Sequence, residues 1–485
     1  MSKASEKVTF NINKSTDFSE WYNTIVRQAE LIDDRYNIKG LIVYRPYAMK
    51  MIGKIYDFFE ERLESSGHEP VLLPLLIPEE NLQKEAEHVG FKAETFWVTL
   101  GGDEQLAKKY ALRPTSETAF YYMYSIWIRS ISDLPVKLYQ SVAVYRHETK
   151  ATKPLIRGRE FLWIEAHDVF ATKEGAIEQV KEDERTMKEV LQDLLRIPVL
   201  FIRRPQWDKF KGAVDTFAAD TIMPDGVTLQ IASTHYLGQN FSKVFEITFD
   251  DKDGTHRHVE QTCFGPGISR ILAAVISVHG DDSGLILPMS IAPIQIMIVP
   301  IPGEDVTDYA RILKRTMLDM NYRAEVDEAE ETPGSKFYRW EFLGVPIRME
   351  IGPREASSSK VTIFDRLTKR KREIDLEDLR QFLKGFEEEQ SKTLFQRAKT
   401  NGDEFLARAS SVTDAKGKMS EGKRVFIVPF CSIDMDGETC GAVVEKELGL
   451  KVLGEELGRE KPEQGQKCFA CGKEARHLVY LAESY

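Results

Sequence analysis

An arginine and a glutamate two positions apart, Arg146 and Glu148, are the charged pair in this sequence best suited to chemistry. They follow an apolar stretch that predicts a strand, on which residues i and i+2 point to the same face. A guanidinium can bind a carboxylate or a phosphate through two hydrogen bonds, and a nearby glutamate can accept one from an exocyclic amine. The pair therefore suits a nucleotide, although the same spacing also occurs in surface ion pairs on hairpins.

A basic loop and a glycine-rich turn accompany this pair. The loop carries Arg157 and three further cations before a second apolar stretch, residues 162–170, which predicts the next strand. Much later, residues 265–270 read Gly-Pro-Gly-Ile-Ser-Arg and lead into an apolar helix predicted over residues 271–278. Arg270 therefore directly precedes an apolar helix.

Two shorter segments add further polar candidates. Thr115 and Glu117 lie just before a helix predicted over residues 119–130, where they could simply cap that helix. A strand predicted over residues 226–233 carries Gln230 near its end and Ser233 as its last residue, and His235 follows just after. His235 could equally be a structural histidine.

Together these segments resemble motifs 2 and 3 of the class II aminoacyl-tRNA synthetases. Motif 1 corresponds to an amphipathic helix predicted over residues 48–66 and the residues that follow it to Pro74. Residues 113–117, 233–242 and 351–355 narrow the resemblance to the prolyl-tRNA synthetases, in their archaeal and eukaryotic-like type. The resemblance covers nearly the whole chain. It implies an α/β (α+β) protein with an antiparallel-sheet catalytic domain.

The resemblance also implies an activity and roles for individual residues. The activity is that of a proline–tRNA ligase, which makes prolyl-adenylate and pyrophosphate from proline and ATP and transfers the prolyl group to the 3′ end of tRNA(Pro). Catalysis would fall to Arg146, Glu148 and Arg270, while Mg²⁺ would neutralise the rest of the triphosphate. The residues expected to bind ATP are Arg146, Glu148, Arg157, Gln230, Ser233 and Arg270. Those expected to bind proline are Thr115, Glu117, Arg146 and His235.

Composition limits the classes to which the chain can belong. Apolar residues make up 42% and charged residues 29%, as in ordinary globular proteins, and 485 residues suggest about three domains. A net charge of −11 argues against bulk nucleic-acid affinity, although local basic patches remain compatible with it. The number of cysteines is odd, which argues against a disulfide framework. The sequence also has no apolar signal segment and no apolar run near 18 residues. These features predict a soluble cytoplasmic protein without a membrane partner.

Local patterns predict the elements of the first domain. They give helices over residues 18–32 and 173–195, a strand covered on both faces at 71–77, and mostly polar, helical structure over 79–112. In the family that the chain resembles, the motif 1 helix and strand form a subunit interface, so a homodimer is expected. The interval between Glu148 and Gly265 leaves no room for the inserted editing domain of the bacterial enzymes, so editing in cis is not expected.

A change of composition at residues 287–290 marks the next boundary. Strands and helices then alternate up to a helix predicted over residues 376–398, which predicts an α/β domain with a mixed sheet. It resembles the anticodon-binding domain of class IIa synthetases, which divides the chain into residues 1–287, 288–398 and 399–485. A basic run at 369–372 is expected to be a solvated turn. By resemblance, the anticodon would be bound by Glu341, Arg348 and Arg354.

Four cysteines near the C-terminus predict a small α+β domain with structural zinc. Cys468 and Cys471 have the Cys-x-x-Cys spacing, while Cys431 and Cys440 are separated by a longer interval. Four thiolates suit a closed tetrahedral zinc site, with a redox pair or replacement of one cysteine by His477 as alternatives. The fifth, Cys263, is expected to line the amino acid pocket, and in related enzymes the terminal tyrosine docks near the active site.

Two other functions remain open at this stage. One is a class IIa synthetase for threonine, glycine, serine or histidine, against which residues 115–117 and 237–242 argue. The other is a non-catalytic relative that binds RNA or regulates a partner. Such relatives would be expected to lose charged motif residues, whereas Arg146, Glu148 and Arg270 are all present.

Overall fold

The computed structural model describes residues 10–89, 94–301, 306–458 and 461–485. The first region contains the helices α1 (Phe18–Gln28), α2 (Pro46–Ser65), α3 (Glu79–Val89), α4 (Glu117–Trp127), α5 (Lys173–Met187, continued by a π-helix Lys188–Leu194), α6 (Asn240–Val244) and α7 (Ile268–His279). Its strands are β1 (Ile32–Asp33), β2 (Val43–Tyr44), β3 (Glu69–Pro70), β4 (Leu76–Pro78), β5 (Trp97–Gly101), β6 (Glu104–Leu112), β7 (Val136–Tyr145), β8 (Glu160–Phe170), β9 (Leu200–Arg203), β10 (Asp215–Ile222), β11 (Thr228–Gly238), β12 (Thr248–Asp250), β13 (His256–His258) and β14 (Glu260–Pro266).

Two further regions follow α7. The second comprises β15 (Ile296–Pro300), α8 (Thr307–Asp319), β16 (Ala324–Val326), α9 (Pro333–Phe342), β17 (Ile347–Ile351), α10 (Pro353–Ser358), β18 (Lys360–Asp365), β19 (Lys371–Asp375) and α11 (Leu379–Asp403). The third comprises β20 (Leu406–Arg408), α12 (Val412–Ser420), β21 (Val425–Phe430), α13 (Glu438–Leu448), β22 (Lys451–Glu456) and β23 (His477–Ala482).

Strands of the first and third regions join in one large sheet. Among the described residues its order is β3-β7-β8-β14-β11-β10-β9-β22-β23-β21-β20. Neighbouring strands are antiparallel except in the pairs β3–β7 and β20–β21. The antiparallel sheet predicted for the first domain is confirmed, and it continues into the C-terminal region because β22 pairs with β9.

Helices pack on this sheet and fix its central strands. Helices α5 and α7 contact β8 and β11, and α2 packs on both helices. All residues of α7 except Arg270 are buried. Close packing therefore fixes the first turn of this helix, from which the Arg270 side chain projects. Within the described part of the chain, no helix combines the length and the apolar character that a membrane span requires.

The second region has the mixed sheet that the alternating pattern predicts. Its described strands have the order β16-β15-β17-β18-β19, parallel from β16 to β17 and antiparallel from β17 to β19. The basic run at 369–372 was expected to be a turn, but Lys371 and Arg372 begin the edge strand β19. The charged residues of this edge strand protect the sheet from pairing with other chains.

The segment after α2 differs most from its prediction. Residues 71–77 do not form a buried strand: only the short β4 forms there, and Leu72 is 76% exposed. Pro74 has no backbone N–H, so it interrupts any ladder through this segment. Helical structure covers residues 79–89 alone, and residues 97–112 form the hairpin β5–β6, which turns at Gly102 with a φ of +63°.

Strand ends near the predicted site residues also differ. β7 ends at Tyr145, so Arg146 and Glu148 lie beyond the strand rather than on one of its faces. β11 extends to Gly238, which places His235 within the strand and Gln230 near its start. Helix α1 ends at Gln28, four residues earlier than predicted.

An ion pair connects the first two regions. Both terminal nitrogens of Arg366 donate to the Asp281 carboxylate, at 2.6 and 3.1 Å, and its Nε donates to the Glu341 carbonyl at 2.7 Å. Arg366 is 1% exposed. Burial opposes the charge of Asp281, but the hydrogen bonds from Arg366 outweigh it and lower the pKa of this carboxyl.

We expect Arg366→Met to lower the free energy of unfolding by about 3 kcal/mol, because it removes both guanidinium hydrogen bonds from a half-buried carboxylate. The Ser283 amide and the more distant Lys369 Nζ, 3.7 Å away, are the partners that remain to Asp281 among the contacts described. Arg354→Met is the matched control: Arg354 is 85% exposed and 3.8 Å from Glu373, and its loss should cost less than about 0.5 kcal/mol. Urea denaturation followed by tryptophan fluorescence measures both. Equal midpoints for the two variants would contradict the role assigned to the ion pair.

Candidate active site

A cleft of about 510 Å³ lies on one face of the large sheet. Side chains from the segments singled out in the sequence converge on it, although they come from distant parts of the chain. The cleft is lined by all nine residues predicted to bind ATP or proline: Thr115, Glu117, Arg146, Glu148, Arg157, Gln230, Ser233, His235 and Arg270.

Arg146 projects into the cleft just beyond β7. Its Nε donates to the Pro114 carbonyl at 3.2 Å, and its guanidinium carbon lies 5.2 and 5.6 Å from the ring centroids of Phe161 and Trp163. One hydrogen bond and two aromatic faces thus orient this cation. Glu148 lies beside it, 3.9 Å from Nε of Arg157.

Arg270 supplies a third cation at the far side of the cleft. Its Nε donates to the Ile156 carbonyl at 3.0 Å and Nη1 donates to the Gln230 carbonyl at 3.1 Å. Burial lowers the pKa of Arg270 to about 10, and the positive charges of Arg146 and Arg157 act in the same direction. The positive charges of Arg146, Arg157 and Arg270 repel one another, and a bound polyanion would offset this repulsion.

A β-bulge aims two residues of β11 at the same cleft. Ala219 and Asp220 of β10 face Ala232 and Gln230, so Ile231 has no partner in the register. Residues three apart on a regular strand point to opposite faces, but the extra residue brings Gln230 and Ser233 to one side.

Arg204 holds the Gln230 side chain in place. Its Nη2 donates to Oε1 of Gln230 at 2.8 Å and to the Asp220 carboxylate at 2.7 Å, and its Nη1 donates to the Leu453 carbonyl of β22 at 3.1 Å. Arg204 is 6% exposed. Sequence reasoning missed this residue, because its role depends on a strand that lies far away in the chain.

The other end of the cleft is lined with acidic and hydroxyl groups. The Thr115 hydroxyl donates to the Glu117 carboxylate and also lies 3.3 Å from Glu165. Glu165 accepts from the Ser116 amide at 3.0 Å and from Gln140 Nε2 at 2.8 Å. All these groups are buried, so this end is a preformed acceptor for a small cation.

Glu165 and His167 are also residues that the sequence analysis missed. They lie 3.5 Å apart on β8, and burial opposes the charge of both. The interaction between them outweighs burial, lowering the pKa of Glu165 and raising the pKa of His167. The signal was available: polar residues alternate within the apolar stretch 162–170, where a strand would place them on one face.

His235 is neutral at the back of the cleft. Its Nδ1 lies 2.9 Å from the Thr216 hydroxyl and its Nε2 lies 3.1 Å from the Ser233 hydroxyl. Burial lowers the pKa of His235 to about 3, with the charges of His167 and Arg204 acting in the same direction. This imidazole therefore shapes the cleft as a hydrogen-bonding group without carrying charge.

The four C-terminal cysteines come together as predicted. Their sulfur atoms all lie within 4.8 Å of one another, with Cys431 3.6 Å from Cys440 and 3.9 Å from Cys471. Four thiols at this spacing fit the donor set of a tetrahedral zinc site. His477 does not replace a cysteine, because its Nδ1 lies 3.2 Å from the Glu455 carboxylate.

Three protein-family models match successive parts of the chain. Residues 96–279 match a tRNA synthetase class II core domain (G, H, P, S and T), and residues 295–386 match an anticodon binding domain. Residues 412–485 match a prolyl-tRNA synthetase C-terminal domain.

Relatives extend the match to the full chain. A proline–tRNA ligase of Thermofilum pendens is 51% identical, over 98% of each chain. The chain belongs to the prolyl-tRNA synthetase family. A second ligase, from Pyrococcus abyssi, is 42% identical over 97% of this chain and 98% of its own. The structure of the Giardia lamblia prolyl-tRNA synthetase in complex with prolyl-adenylate covers 98% of this chain and 100% of its own, with 34% identity and a TM-score of 0.94.

The residues predicted to bind the anticodon differ in accessibility within this prolyl-tRNA synthetase fold. Arg354 is exposed and Glu341 is half-buried. Arg348 is 4% exposed, lies 4.0 and 4.1 Å from the rings of Phe337 and Phe364, and donates to the Glu350 carboxylate. These contacts occupy Arg348 within the domain, so the structure does not offer it to a ligand.

Ser484, near the C-terminal end of the chain, lines the cleft. At the start of β11, the Thr228 amide donates to the Glu483 carbonyl at 2.9 Å. The Tyr485 amide donates to the Thr228 carbonyl at 3.0 Å. The Tyr485 hydroxyl donates to the Asp225 carboxylate and accepts from Lys153 Nζ at 3.1 Å. Lys153 also lies 4.8 Å from the Tyr485 ring centroid.

We expect deletion of Ser484 and Tyr485 to loosen the basic loop, because Lys153 and Arg157 exchange two backbone hydrogen bonds within the turn that Tyr485 holds. Hydrogen exchange at residues 150–157 should accelerate, and proline-dependent pyrophosphate exchange should fall about tenfold. Tyr485→Phe is the matched control, since it keeps the ring over Lys153 and should lose less activity. Unchanged activity after the deletion would contradict a role for the tail.

Proposed function

We propose that the chain is a proline–tRNA ligase (EC 6.1.1.15). It activates proline with ATP to form prolyl-adenylate and pyrophosphate, and then transfers the prolyl group to the 3′ end of tRNA(Pro). The observation that carries this proposal is the full-length match to proline–tRNA ligases, together with one cleft that unites nine predicted ligand-binding residues.

Activation joins two anions, since the proline carboxylate attacks the α-phosphorus of ATP in line. Positioning and charge stabilisation therefore matter more than proton transfer. Arg146 bridges the proline carboxylate and the α-phosphate, while Arg270 holds the γ-phosphate. Glu148 accepts a hydrogen bond from the adenine amine. Arg157 and Gln230 contact the nucleotide, with Ser233 nearby.

Mg²⁺ supports the same step. Apart from Glu148, which contacts the adenine, the cleft contains the Asp208 carboxylate, the kind of ligand that Mg²⁺ prefers. The ion, when bound, neutralises the triphosphate charge that the arginines leave. The four thiols of Cys431, Cys440, Cys468 and Cys471 hold structural Zn²⁺ away from the reaction.

The acidic end of the cleft binds proline. The protonated pyrrolidine nitrogen has two N–H donors, which suit the Glu117 carboxylate and the Thr115 hydroxyl. His235 forms part of the wall through its hydrogen bonds to Thr216 and Ser233. The buried pair of Glu165 and His167 keeps the Thr115–Glu117 segment in place through the Ser116 amide.

The remaining regions serve the tRNA. We assign catalysis to residues 1–287, anticodon binding to 288–398 and zinc binding to 399–485. Glu341 and Arg354 remain candidates for anticodon contact, whereas Arg348 would have to leave its aromatic contacts.

Exposed apolar side chains on β5 and α4, such as Trp97, Tyr122 and Trp127, support a homodimer. Five unpaired thiols agree with the reducing cytoplasm.

Exchange of labelled pyrophosphate into ATP tests the proposed substrate. Each of the twenty amino acids is supplied separately, without tRNA, to the zinc-loaded protein. We expect the fastest exchange with proline, in line with the full-length match to proline–tRNA ligases. We expect it without tRNA, because the cleft itself offers acceptors for the ammonium. Faster exchange with threonine, glycine, serine or histidine would favour another class IIa synthetase. Silence with all twenty would favour a non-catalytic role.

Two arginine variants separate the two steps of the reaction. Arg146→Ala should reduce proline-dependent exchange at least about a hundredfold, since one transition-state donor contributes about 3 kcal/mol. Arg354→Ala should leave exchange unchanged and raise the KM for tRNA(Pro) in aminoacylation, because its exposed side chain lies in the second region and does not line the cleft. If both variants lost exchange equally, the assignment of separate sites would be wrong.

A further inference from the structure

Three potential metal ligands converge at the acidic end of the cleft. They are Glu117 at the start of α4, His167 on β8 and Cys263 on β14. One ligand atom of each lies within 4.8 Å of the other two. His167 and Cys263 are direct cross-strand partners, so their side chains lie on one face of the sheet. All three residues are buried.

The spacing of these atoms suits a zinc-sized ion. Tetrahedral Zn²⁺, with Zn–S of about 2.3 Å and Zn–O of about 2.0 Å, holds its sulfur and oxygen ligands about 3.5 Å apart. Sγ of Cys263 lies 3.8 Å from Oε1 of Glu117. Shifts of a few tenths of an ångström therefore bring these two atoms to coordination geometry.

The surroundings also fit a bound cation. Nε2 of His167 lies 3.5 Å from Glu165 and Nδ1 lies 3.3 Å from the Tyr121 hydroxyl, so the nitrogen that does not bind the ion keeps a partner that fixes the ring. Glu117 and Cys263 line the open cleft, which leaves a fourth coordination position free for water. Three protein ligands with one open position differ from the closed set of four cysteines.

We propose that Glu117, His167 and Cys263 bind a zinc-like divalent cation when proline is absent, at a second metal site distinct from the four-cysteine cluster. On binding, the Cys263 thiol releases its proton to solvent, and His167 coordinates as the neutral imidazole after releasing to solvent the proton that its interaction with Glu165 favours. The resulting thiolate and the Glu117 carboxylate balance the two charges of the ion.

This site would make zinc a competitor of the amino acid. The inference rests on the proposed function in one respect, because Glu117 is also the residue expected to accept the proline ammonium. The ion and the substrate cannot both occupy this carboxylate. Free zinc above the affinity of the site would therefore hold the enzyme in an inactive form, and proline would displace the ion.

Cobalt binding to the full-length protein tests the proposal directly. The four-cysteine cluster is first saturated with Zn²⁺, excess metal is removed, and Co²⁺ is then titrated. We expect one further equivalent per chain with a cobalt–thiolate absorption band. Cys263→Ser should abolish this band, because serine offers no thiolate, while zinc content at the cluster and the unfolding temperature confirm that the variant is folded. Proline at about ten times its Kd should raise the apparent Kd of the ion about tenfold.

A surface-histidine variant provides the matched control. His256 is exposed and lies 2.9 Å from Asp250, so His256→Ala removes a plausible adventitious site and should leave the cobalt band unchanged. The proposal is overturned if no further equivalent binds, if the band survives in Cys263→Ser, or if His256→Ala removes it. Normal proline-dependent exchange without a second ion would refute this inference alone, whereas a second ion without exchange would refute the proposed function.

Discussion

The site depends on charged side chains that are buried on one face of the large sheet. Arg204, Asp220, Glu165 and His167 are nearly inaccessible to solvent, and an isolated buried charge costs several kcal/mol. Each is therefore paired: Arg204, just after β9, with Asp220 of β10, and Glu165 with His167 on β8. A slip of one residue in any of these strands would turn its polar groups to the opposite face, so the charges help to specify the register. The same fixed groups are then preorganised for an anionic nucleotide and a cationic amine.

The third region belongs to the site rather than standing apart from it. The Leu453 carbonyl accepts from Arg204, which holds Gln230. Close to the cysteine cluster, the Ile433 carbonyl accepts a hydrogen bond from the Gln206 amide. Gln206 begins the loop that contains Phe210, whose ring centroid lies 5.0 Å from that of His235. Order at the cysteines is thus connected to both ends of the cleft through a few direct contacts. A structural metal there would support catalysis without touching substrate.

Local sequence patterns predicted much of this architecture but not the contacts between strands that are distant in the chain. The apolar helix after Gly267, the mixed sheet of the second region and the meeting of four cysteines all follow from periodicity or spacing, which depend on near neighbours. The bulge at Ile231 and the hydrogen bonds of Arg204 do not, because they depend on strands paired across the fold. Segment 71–77 differs from its prediction for a related reason: its apolar pattern predicts a buried strand, whereas Pro74 interrupts strand pairing there and Leu72 is exposed.

The chemistry of the acidic end limits how selective the proposed enzyme can be. In the proposed reaction, Glu117 and Thr115 bind the ammonium and Arg146 binds the carboxylate, and every amino acid has both groups. Discrimination must then come from the shape of the wall near His235 and Phe210, and one methylene of difference supports only about 1 to 3 kcal/mol. Amino acids smaller than proline, such as alanine and cysteine, meet no steric barrier in a pocket that accommodates a five-membered ring. Electrostatic recognition of this kind gives affinity, while selectivity depends on how well the apolar wall fits the ring.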